Sequence, residues 1–360
     1  IDSALADSTN LVFTPGVCLD AKSSLGSKLL AIQKEWPEFF MSPFGIPLSG
    51  GFPSVEKETW GNGEEVRLVK VAAVPKDYKS ARIIAPETTV RQGRAGVIAD
   101  IISHHLPHRI PLEDQTVNGN LAKQGSIDGL TATIDLSAAS DSISKSVFWE
   151  IFPYSFASRV YPYLGTHYEC NGKVRLMHMM ATSGNALTFI LESLVFAAID
   201  LAAEKVARAY GAELPPASQT IPSVYGDDQV VWSQCYETTR DFLEALGFVV
   251  NEAKSYWEGD YRESCGEEWK GGINCRSVYF PRFPIIGSIT GKALKTQISM
   301  EWRRDSRNNV LVDSLTSLVA LQHRLYYECY ESARFISEVI RDAFPKMTQS
   351  SPGEETPDCW

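Results

Sequence analysis

The 360-residue sequence has no long uninterrupted hydrophobic run, no paired-cysteine spacing and no excess of positive charge, and each absence narrows what the chain can be. Its longest apolar stretch, Ala186 to Ala203, is broken by Glu192 and Asp200, so it suits a buried helix better than the roughly 20 apolar residues of a membrane span. Seven cysteines (Cys18, Cys170, Cys235, Cys265, Cys275, Cys329 and Cys359) are odd in number and scattered, with no CxxC pair. That argues against a disulfide framework and against a zinc site. No signal-peptide pattern opens the sequence, and a reducing cytoplasm is the expected home. The sequence starts at Ile1, as a fragment lacking an N-terminal portion would. Lysines and arginines number 34 against 44 aspartates and glutamates, a net charge of −10 that opposes any nucleic-acid role resting on overall charge. Locally the balance reverses. From Val66 to Ile110, eight basic residues (Arg67, Lys70, Lys76, Lys79, Arg82, Arg91, Arg94, Arg109) face three acidic ones (Asp77, Glu87, Asp100), a balance of +5 that suits a basic lining inside an acidic body.

What is present is enough apolar material, 44% of residues, to bury a substantial core in two or three subdomains. Residues 1 to 65 are interrupted by proline and glycine and carry no assignable chemistry. Glu65 to Pro75 reads as an extended strand, followed by Lys76, Lys79 and Arg82 at intervals of three, either a solvated strand or a cation cluster suited to a triphosphate or an RNA backbone. Gln92 to Leu106 has helical periodicity and ends at Pro107. The histidines near it, His104, His105 and His108, match no zinc spacing and read as favourable cations at a helix C-terminus. Gly129 to Leu136 is a β-branched strand that ends in Asp135, and Ser137 to Ser144 leads into a helix toward Phe152. There Asp141, with Ser140, is either a helix cap or a functional acid.

Thr182 to Thr188 forms a small polar loop opening a helix that runs to about Tyr210 and stops at Gly211; Ser183 and Asn185 can bond a sugar or cap that helix. Two apolar runs in Ser223 to Trp232 flank Gly226 and Asp227, the pattern of a β-hairpin with a type II′ turn. Its tip presents Asp227 and Asp228 together. Adjacent carboxylates repel, and a divalent cation with oxygen ligands relieves that repulsion, although a solvated acidic turn is the ordinary alternative. Asp135 facing the tip from a neighbouring antiparallel strand would make three acids around one cation site. Glu237 to Leu246 reads as a helix closed by Gly247, then Phe248 to Val250 as a strand leading to Lys254. Val312 to Phe344 is mainly helical and 345–360 a frayed tail. The succession of strand, helices, hairpin, helix and strand predicts an α+β sheet layered on helices.

Taken in order, these segments resemble the motifs of an RNA-dependent RNA polymerase palm. Lys76, Lys79 and Arg82 match the basic fingers motif, Asp135-Leu136-Ser137-Ala138-Ala139-Ser140-Asp141 the D-x5-D motif, and Ser183-Gly184 with Thr188 the second motif. Tyr225-Gly226-Asp227-Asp228 matches the third, and Lys254 falls where the fourth places a lysine. The wording of Thr133 to Ser144, with Asp114-Gln115-Thr116 upstream and Arg262-Glu263-Ser264-Cys265-Gly266 downstream, is similar to replicase β subunits of single-stranded RNA bacteriophages, the Q-beta type. The resemblance covers roughly residues 66 to 280. It implies a right-hand polymerase with an antiparallel-sheet palm packed on helices, fingers, and a reduced or partial thumb. The expected division is 1–128 as N-terminal and fingers region, 129–260 as palm with a finger insertion at 150–182, and 261–360 as palm end and mainly helical thumb.

The same resemblance implies template-directed nucleotidyl transfer that copies a viral RNA genome with two magnesium ions, or manganese in their place. Asp135 and Asp227 would bridge the metals, with Asp228 auxiliary. Asp141, Ser183, Gly184 and Asn185 would recognise the ribose, Lys76, Lys79 and Arg82 the triphosphate, and Lys254 would protonate pyrophosphate or serve structure alone. Glu192 stands where many viral polymerases have asparagine, which makes Asn185 the expected ribose reader. The implied partners are an RNA template, nucleoside triphosphates, host elongation factors Tu and Ts and a ribosomal protein, in the host bacterial cytoplasm and without a membrane. A narnavirus or mitovirus type of polymerase and a reverse transcriptase are same-superfamily alternatives. An inactive RNA-binding module whose acids hold a structural cation is the alternative of a different class.

Overall fold

The structure, a computed structural model, describes residues 18–22, 24–35, 58–59, 65–75, 81–180, 183–215, 221–276, 322, 325–326 and 330–343. The chain divides into two units, Ile1–Arg276 and Ser277–Trp360. In the first, helix α1 (Leu25–Glu35) is followed by five short strands, β1 (Glu58–Thr59), β2 (Glu65–Val66), β3 (Leu68–Lys70), β4 (Ala72–Pro75) and β5 (Ala81–Ile84). Helices α2 (Thr89–Ser103) and α3 (Thr116–Asp128) lead into strands β6 (Thr131–Ile134) and β7 (Leu136–Ser137), then helices α4 (Ala139–Ser142), α5 (Lys145–Ile151) and α6 (Tyr154–Val160). A hairpin of β8 (His167–Cys170) and β9 (Lys173–Leu176) precedes the long helix α7 (Thr188–Ala209). A second hairpin, β10 (Ser223–Tyr225) and β11 (Asp228–Trp232), is followed by helix α8 (Tyr236–Ala245) and strands β12 (Val249–Val250), β13 (Tyr261–Ser264), β14 (Glu267–Lys270) and β15 (Ile273–Asn274). In the second unit, helix α9 (Tyr330–Ala343) buries Ala333 and Ile336, three residues apart on one face, and exposes Arg334 and Glu338.

The mixture is α+β, centred on an antiparallel sheet of order β10-β11-β6. Strand alternation decides which side chains meet which helix. Ala132, Ile134, Val224 and Val231 join the main core with Leu191, Val195 and Phe196 of α7. On the other face, α3 is tied to the sheet by polar contacts: the Thr131 hydroxyl donates to the Leu121 carbonyl (3.0 Å) and Ser223 Oγ to Asn118 Oδ1 (2.7 Å). Asn118 Nδ2 donates in turn to the Asp228 carbonyl (3.0 Å). Covered on both sides, all four residues of β6 are buried. A side chain at Gly125 would place its Cβ 2.1 Å from Thr131 Oγ1, so the close approach of α3 to β6 requires glycine there.

Three local expectations change. Glu65 to Pro75 is not one strand: β3 pairs in parallel with β8 (Leu68↔His167), whereas β4 pairs antiparallel with β5 (Ala72↔Ile84). Arg67 sits between β2 and β3, its N–H bonded to Thr166 Oγ1 and its Nε to the Leu164 carbonyl, both at 2.7 Å. The helix expected between Ser137 and Phe152 is two, and Ser144 caps the second by accepting from the Val147 N–H (3.2 Å). Asp141 and Ser140 lie inside α4 instead, so the cap role does not fall to them. Much of the local positive charge is also internal rather than a lining. Arg67, Arg91 and Arg94 are buried, and Arg91 and Arg109 pair with Glu87 (3.5 Å) and Glu204 (3.2 Å). A guanidinium tolerates burial because its fork satisfies several acceptors at once. His104 and His105 bond through Nδ1 to the carbonyls of Asp100 (2.7 Å) and Ile101 (2.8 Å) at the end of α2.

Arg262 is the deepest of these cations, fully buried, with Nε donating to the Thr131 carbonyl (2.6 Å) and its Nη atoms to the carbonyls of Trp257, Glu258, Gly259 and Tyr261. It fastens β13 to the start of β6. Arg262→Met would leave these carbonyls without their donor and is expected to cost about 3 kcal/mol in urea unfolding, with Arg262→Lys recovering only part of the loss.

Candidate active site

The β10–β11 hairpin closes with a two-residue loop, since Tyr225 pairs with Asp228 across Gly226 and Asp227. Gly226 has φ of 65°, and positive φ at the first loop residue only is the signature of a type II′ turn. Helix α7 holds the tip in place: the Gly226 N–H donates to Ser193 Oγ (2.9 Å), and the Phe189 ring meets Tyr225 edge-on with centroids 5.1 Å apart.

The ladder register assembles the acids. Gln229 pairs with Ile134, so the next position along sets Asp135 opposite Asp228. Burial raises the Asp228 carboxyl above its ordinary range, and the neighbouring Asp227 and Asp135 raise it further, while the Cys265 N–H donates to its Oδ1 (2.9 Å) and opposes the shift. Asp135 is fixed from the other side. Its Oδ2 accepts from Asn251 Nδ2 (2.7 Å), its carbonyl from the Asn251 N–H (2.9 Å), and its own N–H donates to Ser255 Oγ (3.1 Å).

Two further groups of side chains flank this centre. On one side, the Asp141 carboxyl, raised by desolvation, accepts from the Ser183 N–H and feels the Arg82 guanidinium. Ser140 Oγ lies 3.3 Å from Ser183 Oγ, and the Ser183 carbonyl accepts from the Ala85 N–H (2.8 Å), which docks the end of β5 on this loop. Glu192 completes the group. It is 5% exposed, its Oε2 has no hydrogen-bond partner, and burial, then Asp227 and Asp141, push its carboxyl up to about 8. On the other side, burial and Asp228 push the Glu263 carboxyl up to about 7, against the opposing Gly266 N–H and the Lys254 ammonium.

Of the residues expected from sequence, Asp135, Asp227, Asp228, Asp141, Ser183 and Arg82 therefore come together, and Lys254 stands at the edge beside Glu263. Gly184 lies against Ala85 and Pro86. Lys76 and Lys79 fall outside the described residues. Asn185 differs from its expected role: its Nδ2 donates to Glu87 Oε1 (2.6 Å) and the Tyr163 carbonyl (3.0 Å), and its Oδ1 accepts from the Leu187 N–H (2.8 Å). Both amide hydrogens are used, so Asn185 anchors the loop instead of offering a donor to a sugar. Glu192, Glu263, Asn251 and Cys265 belong to the site although sequence reasoning assigned them no role in it. Glu192 did leave a signal, an acid inside an apolar helix, although Asp200 of the same helix leaves the same one.

No three acidic, histidine or cysteine side chains among the described residues are arranged to hold a metal ion. Asp135 and Asp228 each commit one oxygen to a protein donor. The second oxygen of each and the Asp227 carboxylate are hard oxygen donors that repel one another, the donor type that a divalent cation takes.

The family described as RNA replicase, beta-chain, matches residues 56–286. The RNA-directed RNA polymerase beta chain of Enterobacteria phage fr is 35% identical over 216 residues, 59% of this chain and 37% of that protein. The corresponding subunit beta of Enterobacteria phage SP is 36% identical over 217 residues (59% and 36%), and that of Escherichia virus Qbeta 31% over 215 residues (58% and 35%). The matched part thus spans little more than a third of these relatives' length. The RNA-dependent RNA polymerase of a human picorbirnavirus shares the fold with a TM-score of 0.52 at 14% identity, over 80% of this chain and 59% of that one.

The raised Glu192 carboxyl carries a sign for stability. Folding favours its protonated form, so its contribution is fully present below the ordinary value near 4.5 and is lost as pH rises through about 8. Metal-free protein should lose on the order of a few kcal/mol across that window, and Glu192→Gln should flatten the slope in thermal melts run from pH 5 to 8.5.

Proposed function

The chain belongs to the RNA replicase beta-chain family, and from that premise we propose that it carries the nucleotidyl-transfer centre of an RNA-directed RNA polymerase that copies a phage single-stranded RNA genome. The observation that carries the reading is the β6–β11 register, which sets Asp135 opposite Asp228 and beside Asp227 at one end of the sheet. The reaction is attack of a 3′-hydroxyl on the α-phosphate of an incoming nucleoside triphosphate, with release of pyrophosphate. Asp135 and Asp227, assisted by Asp228, would hold magnesium, two ions in the expected arrangement, and the metal would supply Lewis-acid stabilisation of the attacking hydroxyl and the leaving phosphates.

The chain's own residues supply position. Asn251 and Cys265 orient the two carboxylates, while α7 fixes the tip through Ser193. Arg82, with Lys76 and Lys79, would hold the triphosphate, and Lys254, next to Glu263, would give a proton to pyrophosphate. Asp141, the Ser183 hydroxyl and Glu192 would read the ribose, with Glu192 in the role first expected of Asn185. In this reading 129–260 form a palm with a finger insertion at 150–182, 1–128 the N-terminal and fingers region, and 261–360 the palm end and a thumb. RNA template and nucleoside triphosphates are the substrates, and elongation factors Tu and Ts with a ribosomal protein the host partners, in the bacterial cytoplasm. No described helix is long and apolar enough to cross a membrane.

RNA synthesis on a defined template, with each nucleotide omitted in turn, tests the activity. Asp227→Ala should lower incorporation at least about 100-fold with an unchanged melting temperature; wild-type turnover in that variant would remove the metal-ligand assignment. For sugar choice, Asp141→Ala and Glu192→Ala should each reduce the preference for ribonucleotides over deoxyribonucleotides by roughly 1 to 3 kcal/mol, and Glu192→Gln should keep most of it. Asn185→Ala should instead cost roughly 1 to 3 kcal/mol of stability and leave selectivity in place. Incorporation efficiencies for both sugars, measured beside thermal melts, separate the two outcomes.

A further inference from the structure

The hairpin tip that carries Asp227 is fixed from both faces of the sheet. From α7, Ser193 Oγ accepts the Gly226 N–H (2.9 Å), and from α3, Asn118 Nδ2 donates to the Asp228 carbonyl (3.0 Å). These contacts fall on the residues immediately before and after Asp227, so the tip cannot shift along the strand without breaking one of them. The Asp228 carboxylate is held separately, its Oδ1 accepting from the Cys265 N–H (2.9 Å) and the Ser264 hydroxyl (3.4 Å). Helix α3 touches every strand involved: β6, which leads to Asp135, β10 and β11 of the hairpin, and β13 and β14 on either side of Cys265.

Asn118 is the point at which this crosspiece reaches the acids. It is fully buried and uses its carboxamide at both ends, Oδ1 accepting from Ser223 Oγ on β10 (2.7 Å) and Nδ2 donating to Asp228 on β11. One planar group with a donor and an acceptor at fixed spacing suits that double contact. An ionised aspartate would have no donor, leucine would have neither function, and serine would not span to both strands. Asn118 and Gly119 are also weak helix formers placed inside α3, a local conflict of the kind that marks a functional demand. The two bonds differ in what they serve. The one to Ser223 ties α3 to β10, a strand without an acid, whereas the one to Asp228 sets the main chain of the acid pair itself.

We propose that Asn118 is a positioning residue for nucleotidyl transfer, fixing the Asp228 main chain so that Asp227 and Asp228 stand with Asp135 in the arrangement that takes a divalent cation. Groups that orient a metal ligand through hydrogen bonds change metal affinity by about 10- to 100-fold when removed. The inference deepens the proposed function and rests on its assignment of the acids as metal ligands.

Manganese binding to the intact chain without nucleotide, read from the electron paramagnetic resonance signal of the free ion, tests it beside RNA synthesis across a range of magnesium concentrations. Asn118→Leu, close in shape but without a donor, should weaken manganese binding about tenfold and raise the magnesium concentration for half-maximal synthesis by a similar factor, with KM for nucleotides at saturating metal within about twofold of wild type. Asn118→Ser carries the same expectation should the leucine variant fail to fold. Ser223→Ala removes the tie to β10 alone and should lower the melting temperature with manganese affinity unchanged. Wild-type manganese affinity in the Asn118 variants, an equal loss in Ser223→Ala, binding that survives Asp227→Ala, or no saturable binding by the wild type overturns the proposal. Manganese binding that depends on Asn118 in a chain that makes no RNA would remove the replicase reading alone. RNA synthesis whose metal dependence ignores Asn118 would remove the positioning role alone.

Discussion

Like-charge repulsion at one end of a single β-ladder is the constraint that the surrounding structure serves. Asp135, Asp227 and Asp228 repel one another when drawn together, and at Asp228 that repulsion raises the carboxyl on top of its burial. The fold answers with dipoles before any cation. Asn251 Nδ2 faces Asp135, the Cys265 N–H faces Asp228, and the Ser183 N–H faces Asp141, one side-chain amide and two backbone donors, none of them a mobile lysine. Glu192 and Glu263 show what happens where such donors are missing or too few, since both carboxyls move toward neutrality.

Holding these groups requires a platform that does not yield, and the sheet is covered on both faces for that reason. Helix α7 packs its apolar face against Ile134, Val224 and Val231 and uses Ser193 to grip the hairpin tip, while α3 closes the other face through Asn118 and Thr131. Arg262 then ties the strand that follows the site back to β6. Polar contacts are prominent where backbone meets backbone closely, because a buried carbonyl left without a donor costs more than the hydrogen bond itself contributes.

The flanking loops follow the same economy. Asn185 and Glu87 form a buried strut beneath the Ser183 loop, with Arg91 offsetting the charge of Glu87, whose carboxyl is still raised by burial. The loop is thus supported from below by one set of polar groups and presents another, Ser183 with Asp141, toward the acids. Support and presentation fall to neighbouring residues of one short segment.

The strongly patterned elements were legible without coordinates. Helix α7 with its stop at Gly211, the hairpin around Gly226, strand β6 with its terminal acid and helix α8 before Gly247 follow from periodicity and turn chemistry, because those signals are local. The Asn171-Gly172 turn between β8 and β9, both residues at positive φ, was an equally local signal that went unread. What the chain alone determined was an α+β succession that carries Asp135 and the Asp227-Asp228 pair at strand ends. Only tertiary structure decided which polar side chains work at the site and which work beneath it. Asn185 and Glu192 lie seven residues apart, and either could be a sugar reader by type. Asn185 found Glu87, Tyr163 and Leu187, whereas Glu192 was left with an unpartnered oxygen beside Asp227 and Asp141. Hydrogen-bond satisfaction depends on partners 22 and 98 residues distant in the chain, and no local pattern encodes them.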